Sequence, residues 1–196
     1  KPHTAFSLKK RVAKILGVNV IRERERKLRD EASQDFLTGI LNRRGFQAAL
    51  NQLQEYEYPV ALYIFDLDDL KKINDNYGHA MGDKMLQMFA GVLKSHTRDG
   101  DILSRYGGDE FVIVLKKMSS RALAQKKGNE ICDAFQALEL PGGIAVGCTA
   151  GMILCRNEEK VTSKLVGRAD RALYYAKHED KGRCYVWDEE TERLEG

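Results

Sequence analysis

The chain has 196 residues, of which 43% are hydrophobic and 31% are charged, which is typical of one globular domain with an extension. Its net charge of +3 is uneven, because residues 1–30 hold ten basic and three acidic side chains, leaving −4 on the remainder. These values argue against general nucleic-acid binding, and the longest apolar run, residues 60–65, is too short to span a membrane.

The cysteines and the first residues indicate a compartment. Four cysteines without CxxC spacing predict reduced packing thiols in a cytosolic protein, with no zinc site or redox pair (Cys132, Cys148, Cys155 and Cys184). No signal peptide opens the chain, which starts at Lys1. We therefore expect a piece of a longer or processed protein that is cytoplasmic or the cytoplasmic part of a membrane-anchored one. The basic first 30 residues are compatible with a membrane surface.

Residues 1–33 are predicted to be a basic lead-in or linker, helical over residues 8–34. Ile21, Leu28 and Asp35 share a seven-residue spacing, but only two of them are apolar, so the pattern does not establish a coiled coil. Two interpretations stay open, a signalling helix that pairs two subunits and a solvated connector.

After the lead-in, helical and strand patterns alternate. Apolar periodicity predicts helices over residues 44–55, 68–76, 83–95, 119–138 and 163–178. Strands are predicted over residues 59–65, 145–154 and 184–187, with two more flanking Gly107 and Gly108. This order predicts an α+β fold with helices on one side of the sheet. Residues 189–196 are predicted to be a polar tail.

A hairpin centred on Gly107 and Gly108 is the most informative feature. Apolar stretches on both sides predict strands joined by a turn in which both glycines take positive φ. Asp109 and Glu110 follow at once, and a backbone tip beside two acids suits a phosphate bound through a divalent metal. The alternative is a surface hairpin with solvated acids.

A second acidic group follows the strand predicted over residues 59–65. A buried strand delivers Asp66 to its carboxyl end, where ligands collect in open sheets. With Asp109, Asp66 would form a hard oxygen site suited to Mg²⁺ that bridges protein and phosphates. For Asp68 and Asp69 the alternative is a helix N-terminus, whose dipole favours acids.

Four motifs resemble those of GGDEF domains, the diguanylate cyclases that join two GTP molecules into cyclic di-GMP. They lie in the family's order at residues 35–44, 65–83, 106–111 and 169–177. The resemblance covers residues 34–188, which we identify as a GGDEF catalytic domain. It implies a ferredoxin-like, nucleotide-cyclase palm with a mostly antiparallel central sheet and flanking helices, preceded by the N-terminal helical extension.

The resemblance assigns catalytic and metal roles. Asp66, the Leu67 carbonyl and Asp109 match the metal positions, with Mg²⁺ or Mn²⁺ as the ion. Asp109 and Glu110 match the catalytic positions. Asp109 is the metal ligand and a candidate proton acceptor, and Glu110 either supports a second metal or takes the proton.

The resemblance also assigns substrate contacts. Asn74 and Asp83 match the guanine-reading pair, and an acid at Asp83 favours GTP over ATP because a carboxylate accepts from guanine's N–H groups. The alternative for Asp83 is a helix N-cap. His79 either contributes to the pocket or shapes the turn. The remaining substrate-binding positions are three lysines that neutralise the triphosphate and four neighbouring residues (Lys71, Lys177, Lys181, Asp69, Leu70, Gly107 and Gly108).

Arg98 and Asp101 fit the RxxD pattern of product-inhibited members, which implies an inhibitory cyclic di-GMP site. No second arginine near residues 128–131 completes it. The resemblance therefore implies a product-inhibited diguanylate cyclase of bacterial signal transduction, active as a homodimer and controlled by a sensory or membrane domain outside this chain. The alternative is a silent module that binds GTP or cyclic di-GMP. The intact set of acids and Asn74 favours the enzyme.

Overall fold

The computed structural model describes residues 32–156, 161, 163–179 and 181–187. Residues 1–31 of the predicted lead-in and the predicted tail at residues 189–196 lie outside the described residues. Within the described part, no helix is both long enough and apolar enough to cross a bilayer.

Eight strands and five helices make up this part of the chain. The strands are β1 (Leu41–Asn42), β2 (Val60–Leu67), β3 (Ile102–Arg105), β4 (Glu110–Leu115), β5 (Glu139–Leu140), β6 (Ile144–Ala145), β7 (Cys148–Cys155) and β8 (Cys184–Val186). The helices are α1 (Arg43–Leu50), α2 (Leu70–Tyr77), α3 (His79–His96), α4 (Arg121–Gln136) and α5 (Ser163–Glu179), with a 3-10 turn at Glu55–Glu57.

Six of the strands form one sheet in the order β1-β3-β4-β2-β7-β8, and β5 pairs with β6 separately. The inner pairings β3–β4, β4–β2 and β2–β7 are antiparallel, whereas the outer pairings β1–β3 and β7–β8 are parallel. The predicted α+β class and mostly antiparallel sheet are therefore confirmed.

Helices cover both faces of this sheet, so the prediction that they lie on one side is wrong. Successive side chains of a strand point to opposite faces. Tyr63 and Phe65 of β2 belong to a core that includes α2, α3 and α4, whereas Leu62 and Ile64 belong to a second core with α1 and α5. A strand buried on both faces needs an unbroken apolar run, and residues 60–65 supply one.

Several element boundaries differ from the predicted ones. Helix α1 ends at Leu50, five residues early, and a short coil leads into the 3-10 turn. Strand β2 runs two residues further than predicted, because Asp66 pairs with Glu110 of β4 and Leu67 pairs with Cys148 of β7. Strand β7 starts three residues late, since residues 144–145 pair with β5 instead.

Helix α3 begins at His79 rather than at residue 83. Gly78, with φ of 85°, separates it from α2. The Gly78 N–H donates to the Asn74 carbonyl at 2.9 Å and ends α2, and the Gly78 carbonyl accepts from Met81 N at 3.0 Å. Glycine adopts this combination of positive φ and extended ψ without a Cβ clash, so Gly78 can end α2.

The predicted hairpin is confirmed, but its turn is built differently from the prediction. Neither Gly107 nor Gly108 has a positive φ, because the turn is a four-residue loop between β3 and β4, which does not need the left-handed conformation of a two-residue turn. The N–H groups of Tyr106 and Gly107 donate to the Glu110 carbonyl at 2.8 and 3.3 Å. A Cβ at Gly107 would lie 2.9 Å from Glu110 Oε2, so this glycine permits a close approach, whereas Gly108 faces open space.

Candidate active site

The two predicted acidic groups meet at one end of the sheet. The register places Asp66 of β2 opposite Glu110 of β4 and opposite Thr149 of β7. The Leu67 N–H donates to the Asp109 carbonyl at 3.2 Å, so the hairpin tip is bonded to the end of β2. The structure thus brings together the residues predicted to hold a metal and to act in catalysis.

Asp66 is a partly buried acid that lies close to two other acids, Asp68 and Asp109. Its side chain is 14% exposed, and its carboxylate forms an ion pair with Lys177 of α5. Burial raises the pKa of Asp66 most, Lys177 lowers it, and the charges of Asp109 and Asp68 raise it again, so that the overall shift is upward. An additional positive charge nearby would stabilise the ionised form of this carboxylate.

The donor set at this end fits a hard divalent ion. Asp66 and Asp109 offer carboxylate oxygens, which are the ligands that Mg²⁺ prefers. No three acidic, histidine or cysteine side chains within the described ranges are arranged to hold a metal by themselves. An ion here would therefore take its remaining ligands from the main chain, as predicted for Leu67, and from substrate oxygens, as Mg²⁺ commonly does.

Asp68 lies directly before the N-terminus of α2, where the alternative drawn from the sequence places it, and its carboxylate is bonded to β7. Its carboxylate accepts the Thr149 hydroxyl, with both oxygens 3.0 Å from Oγ1, and its N–H donates to the Gly147 carbonyl at 2.9 Å. Burial raises the pKa of Asp68, and the charges of Lys177 and Lys181 partly offset this.

Asp69 lies at the N-cap position of α2 but leaves the helix uncapped. Its backbone is left-handed, with φ of 58°, and its carboxylate contacts Lys72 Nζ at 2.8 Å instead of a helix N–H. The side chain of Leu70 is buried, and that of Lys71 is exposed. The first N–H groups of an uncapped helix are available to an anion.

The predicted guanine-reading residues lie on adjacent helices. Asn74 is on α2, and its amide lies directly against Gly82 of α3, where an added Cβ would overlap Asn74 Oδ1. Asp83 follows Gly82 and is exposed in the second turn of α3, so the N-cap alternative for Asp83 is wrong. His79 is exposed at the first position of the same helix.

The two lysines predicted near the C-terminus of the domain converge on these acids. Lys177, in the last turn of α5, contacts Asp66, and its charge also lowers the pKa of Asp68 and Asp69. The charge of Lys181, in the connection to β8, lowers the pKa of the same two neighbours. Positive charge is thus brought to the acids from a distant part of the chain.

A contact between Asp35 and Arg105 was not anticipated from the sequence. Arg105 Nε and Nη2 donate to the Gly108 carbonyl at 3.1 and 2.7 Å, and Nη1 reaches both Asp35 oxygens at 3.3 and 3.4 Å. Burial raises the pKa of Asp35, but hydrogen bonds from Thr38 and the charge of Arg105 lower it below its usual value overall. The start of the domain is therefore linked to the hairpin tip.

Thr149 was also missed. The available signal was a polar residue inside an otherwise apolar strand pattern, since residues 148–155 contain no other polar side chain besides two cysteines. A buried hydroxyl must be hydrogen-bonded, so its partners mark a specific arrangement.

Asp101 of the RxxD motif has a local role. One carboxylate oxygen accepts from Arg98 N at 2.9 Å and the other from Lys116 N at 3.0 Å, and the Asp101 N–H donates to the Arg98 carbonyl at 3.1 Å. The motif thus closes the loop before β3 and joins it to the end of β4. The side chain of Arg98 is exposed.

Comparison with known proteins gives consistent matches. The family model described as "Diguanylate cyclase, GGDEF domain" matches residues 32–183. Diguanylate cyclase DgcZ of Escherichia coli is 35% identical over 165 residues, which cover 82% of this chain and 55% of that protein. Diguanylate cyclase VdcA of Vibrio cholerae is 33% identical over 176 residues, covering 87% and 52%. The chain spans about half the length of these relatives.

Solved structures of GGDEF domains are also similar to this chain. The coiled coil and GGDEF domain of DgcB from Caulobacter crescentus, in complex with c-di-GMP, has a TM-score of 0.76 at 25% identity, covering 92% of this chain and 99% of that one. The GGDEF domain of TpbB from Pseudomonas aeruginosa has a TM-score of 0.73 at 31% identity, covering 82% and 98%.

Proposed function

Because the chain belongs to the GGDEF family of diguanylate cyclase domains, we propose that it condenses two GTP molecules into cyclic di-GMP and releases pyrophosphate. The observation that carries this proposal is the meeting of Asp66 and the Asp109 segment at one end of the sheet, with Lys177 beside them. Two acids and a lysine at this place form a site for a metal-bound triphosphate.

Mg²⁺ or Mn²⁺ would be held by Asp66, the Leu67 carbonyl and Asp109. When bound, such an ion lowers the pKa of a coordinated hydroxyl and offsets phosphate charge. The uncapped N-terminus of α2, at Asp69 and Leu70, offers N–H groups to the triphosphate. The ammonium groups of Lys71, Lys177 and Lys181 would offset its charge, which grows on the leaving pyrophosphate.

Guanine would be read by Asn74 and Asp83, with His79 nearby at the start of α3. Asp83 is exposed and accepts from guanine N1–H and N2–H₂, whereas adenine lacks these donors. The Asn74 amide lies against Gly82, which directly precedes Asp83, and we infer that the two side chains face the same base. This arrangement supports selection of GTP over ATP.

In the reaction, the 3′-hydroxyl of each GTP attacks the α-phosphate of the other, so that two P–O bonds form and two pyrophosphates leave. Asp109, or Glu110 beside it, takes the hydroxyl proton as the new P–O bond forms and the bond to pyrophosphate breaks. Gly108 faces open space at the hairpin tip, which gives room for the phosphates, while Gly107 lets the Glu110 carboxylate come close to the tip.

Each domain would hold one GTP, so the reaction requires two domains that face each other in a homodimer. We assign catalysis to residues 34–188, and we assign residues 1–33 to a linker that joins this domain to a sensory or membrane domain. Because GTP is drawn from the cytoplasmic pool, we place the domain in the cytoplasm.

The test is incubation of the chain with GTP and Mg²⁺, followed by chromatography of the products. We expect cyclic di-GMP from the wild type and none from Asp109→Ala. Asp133→Ala, which removes an exposed acid on α4, is the matched control and should retain wild-type activity. Product formation by Asp109→Ala at the wild-type rate would refute the catalytic assignment.

We further propose that cyclic di-GMP inhibits the enzyme through Arg98 and Asp101. Arg98 has an exposed guanidinium that can pair with phosphate, and DgcB was crystallised with c-di-GMP. We expect Arg98→Ala to weaken cyclic di-GMP binding at least tenfold in calorimetry and to leave GTP affinity unchanged. Arg98 is the better residue to vary, because Asp101 holds the loop. Equal cyclic di-GMP affinity in both proteins would reject the site.

A further inference from the structure

Thr149 connects two loops of the site from inside the sheet. It lies on β7 with a fully buried side chain. Its hydroxyl donates to the Asp68 carboxylate, 3.0 Å from either oxygen, and accepts from the Gly182 N–H at 3.0 Å. One hydroxyl thereby joins the β2–α2 connection to the α5–β8 connection.

The second of these connections carries Lys181. Gly182 follows Lys181 directly and has a φ of 84°, a left-handed conformation that suits a tight turn. On the far side of the turn, the Ala150 N–H donates to the Arg183 carbonyl at 2.9 Å. Residues 182 and 183 are therefore both bonded to β7, and the backbone of Lys181 is held beside the Asp68 segment.

Ser104 shows what an ordinary buried hydroxyl does in this sheet. It is also fully buried, but it donates at 2.8 Å to the Val112 carbonyl of the neighbouring strand. Thr149 instead uses both its donor and its acceptor capacity outside the strand pairing. Its partners are one acidic side chain and one loop N–H, and both belong to segments that flank the proposed triphosphate site.

We propose that Thr149 is a positioning residue for substrate binding, which holds Lys181 in place for the triphosphate by bridging Asp68 and Gly182. This inference rests on the proposed function, because it concerns the same nucleotide site. Without the hydroxyl, the Gly182 N–H loses its acceptor and Asp68 loses its donor. The turn then moves more freely, and ordering Lys181 again costs free energy when the nucleotide binds.

The test measures the affinity for α,β-methylene GTP with Mg²⁺, because this analogue cannot release pyrophosphate. Calorimetry compares the wild type with Thr149→Val, Thr149→Ser, Lys181→Ala and the double variant of Thr149→Val and Lys181→Ala. We expect about tenfold weaker binding for Thr149→Val, near-wild-type binding for Thr149→Ser, and no further loss in the double variant beyond that of Lys181→Ala. Thr149→Ala replaces Thr149→Val, with the same criteria, if the valine variant does not fold.

Ser104→Ala is the matched control, since it removes a buried hydroxyl bond but should not change the affinity for the analogue. Wild-type affinity in Thr149→Val, or losses from Thr149→Val and Lys181→Ala that multiply in the double variant, would overturn this inference alone. A wild type that binds no analogue would overturn the proposed function, and this inference with it.

Discussion

The proposed reaction needs Asp66 in its ionised form, but burial of this side chain disfavours that form. Burial is the largest cause of its raised pKa, and Asp109 and Asp68 add to it. Because the folded-state pKa lies above the unfolded value of 3.8, the folded protein binds more protons than the unfolded chain at pH values between the two. The contribution of Asp66 to stability therefore declines as pH rises through its folded pKa, and its ionised form destabilises the metal-free protein at neutral pH.

We expect Asp66→Asn to raise the Tm of the metal-free protein at pH 7 by about 2 °C, which corresponds to somewhat less than 1 kcal/mol for a chain of this size. The same variant should make no cyclic di-GMP, and Mg²⁺ with GTP should stabilise the wild type and the control but not Asp66→Asn. Thermal melts with and without Mg²⁺ and GTP check this, with Asp133→Asn as the control. A lower Tm in Asp66→Asn would contradict the electrostatic argument.

The pKa of Asp35 is shifted in the opposite direction to that of Asp66. Its folded pKa is lowered, so its ionised form contributes stability above pH 3.8 that is lost as pH falls through the folded pKa. We expect Asp35→Asn to lower the free energy of unfolding by about 1 kcal/mol at pH 7, because it weakens the hydrogen bonds with Thr38 and Arg105. Urea unfolding at several pH values measures this, and the difference from wild type should shrink below pH 3.8. A difference that stays constant down to pH 2 would argue against this role.

The position of a single residue in the site was predictable where the local sequence pattern defines the element that carries it. Asp66 and Asp109 stand at the ends of recognisable strands, so their meeting could be anticipated. The bonds from Thr149 to Asp68 and from Arg105 to Asp35 join residues 81 and 70 positions apart. Such contacts depend on strand register, which the sequence pattern does not define.

At the scale of elements, the close packing of α2 against α3 depends on the absence of a side chain at Gly82. A Cβ at Gly82 would overlap the Asn74 side chain, so Gly82→Ala must displace the amide or separate the helices. Because only the end of the Asn74 side chain is overlapped, we expect that amide to move at little cost in stability and the ratio of GTP to ATP affinity to fall. Gly91→Ala is the control on the same helix, because nothing lies within 4 Å of its added Cβ, and it should be neutral or stabilising. Unchanged nucleotide selectivity in Gly82→Ala, measured by competition binding, would remove Asn74 from the guanine site.

The type of most elements was predictable, but several boundaries and the placement of the helices were not. The apolar run of β2 identifies a strand, yet only its pairing with β4 and β7 shows that it continues through Asp66 and Leu67. The periodicity of α3 begins at its buried residues, so it misses the exposed first turn at His79. The unbroken apolar run of β2 is nevertheless a signal in the sequence that both faces of the sheet are covered.

At the scale of the whole molecule, the site combines segments that are far apart in the chain. Strand β2 contributes Asp66, the β3–β4 hairpin contributes Asp109, and the end of α5 contributes Lys177, while α2 and α3 present the pair proposed to read guanine. Antiparallel pairing of β2 with β4 brings the end of β2 to the start of β4. This places Asp66 and Asp109 at the same end of the sheet. One such site would hold one nucleotide, so the proposed condensation is a property of two chains.

The central claim is that Asp66 and Asp109 hold a shared divalent ion against the triphosphate. The most direct measurement is a crystal structure of the chain with α,β-methylene GTP and Mg²⁺. We expect an ion within about 2.0–2.1 Å of oxygens from both side chains and of the phosphates. Side chains that point apart, with the triphosphate bound elsewhere or missing, would contradict the claim.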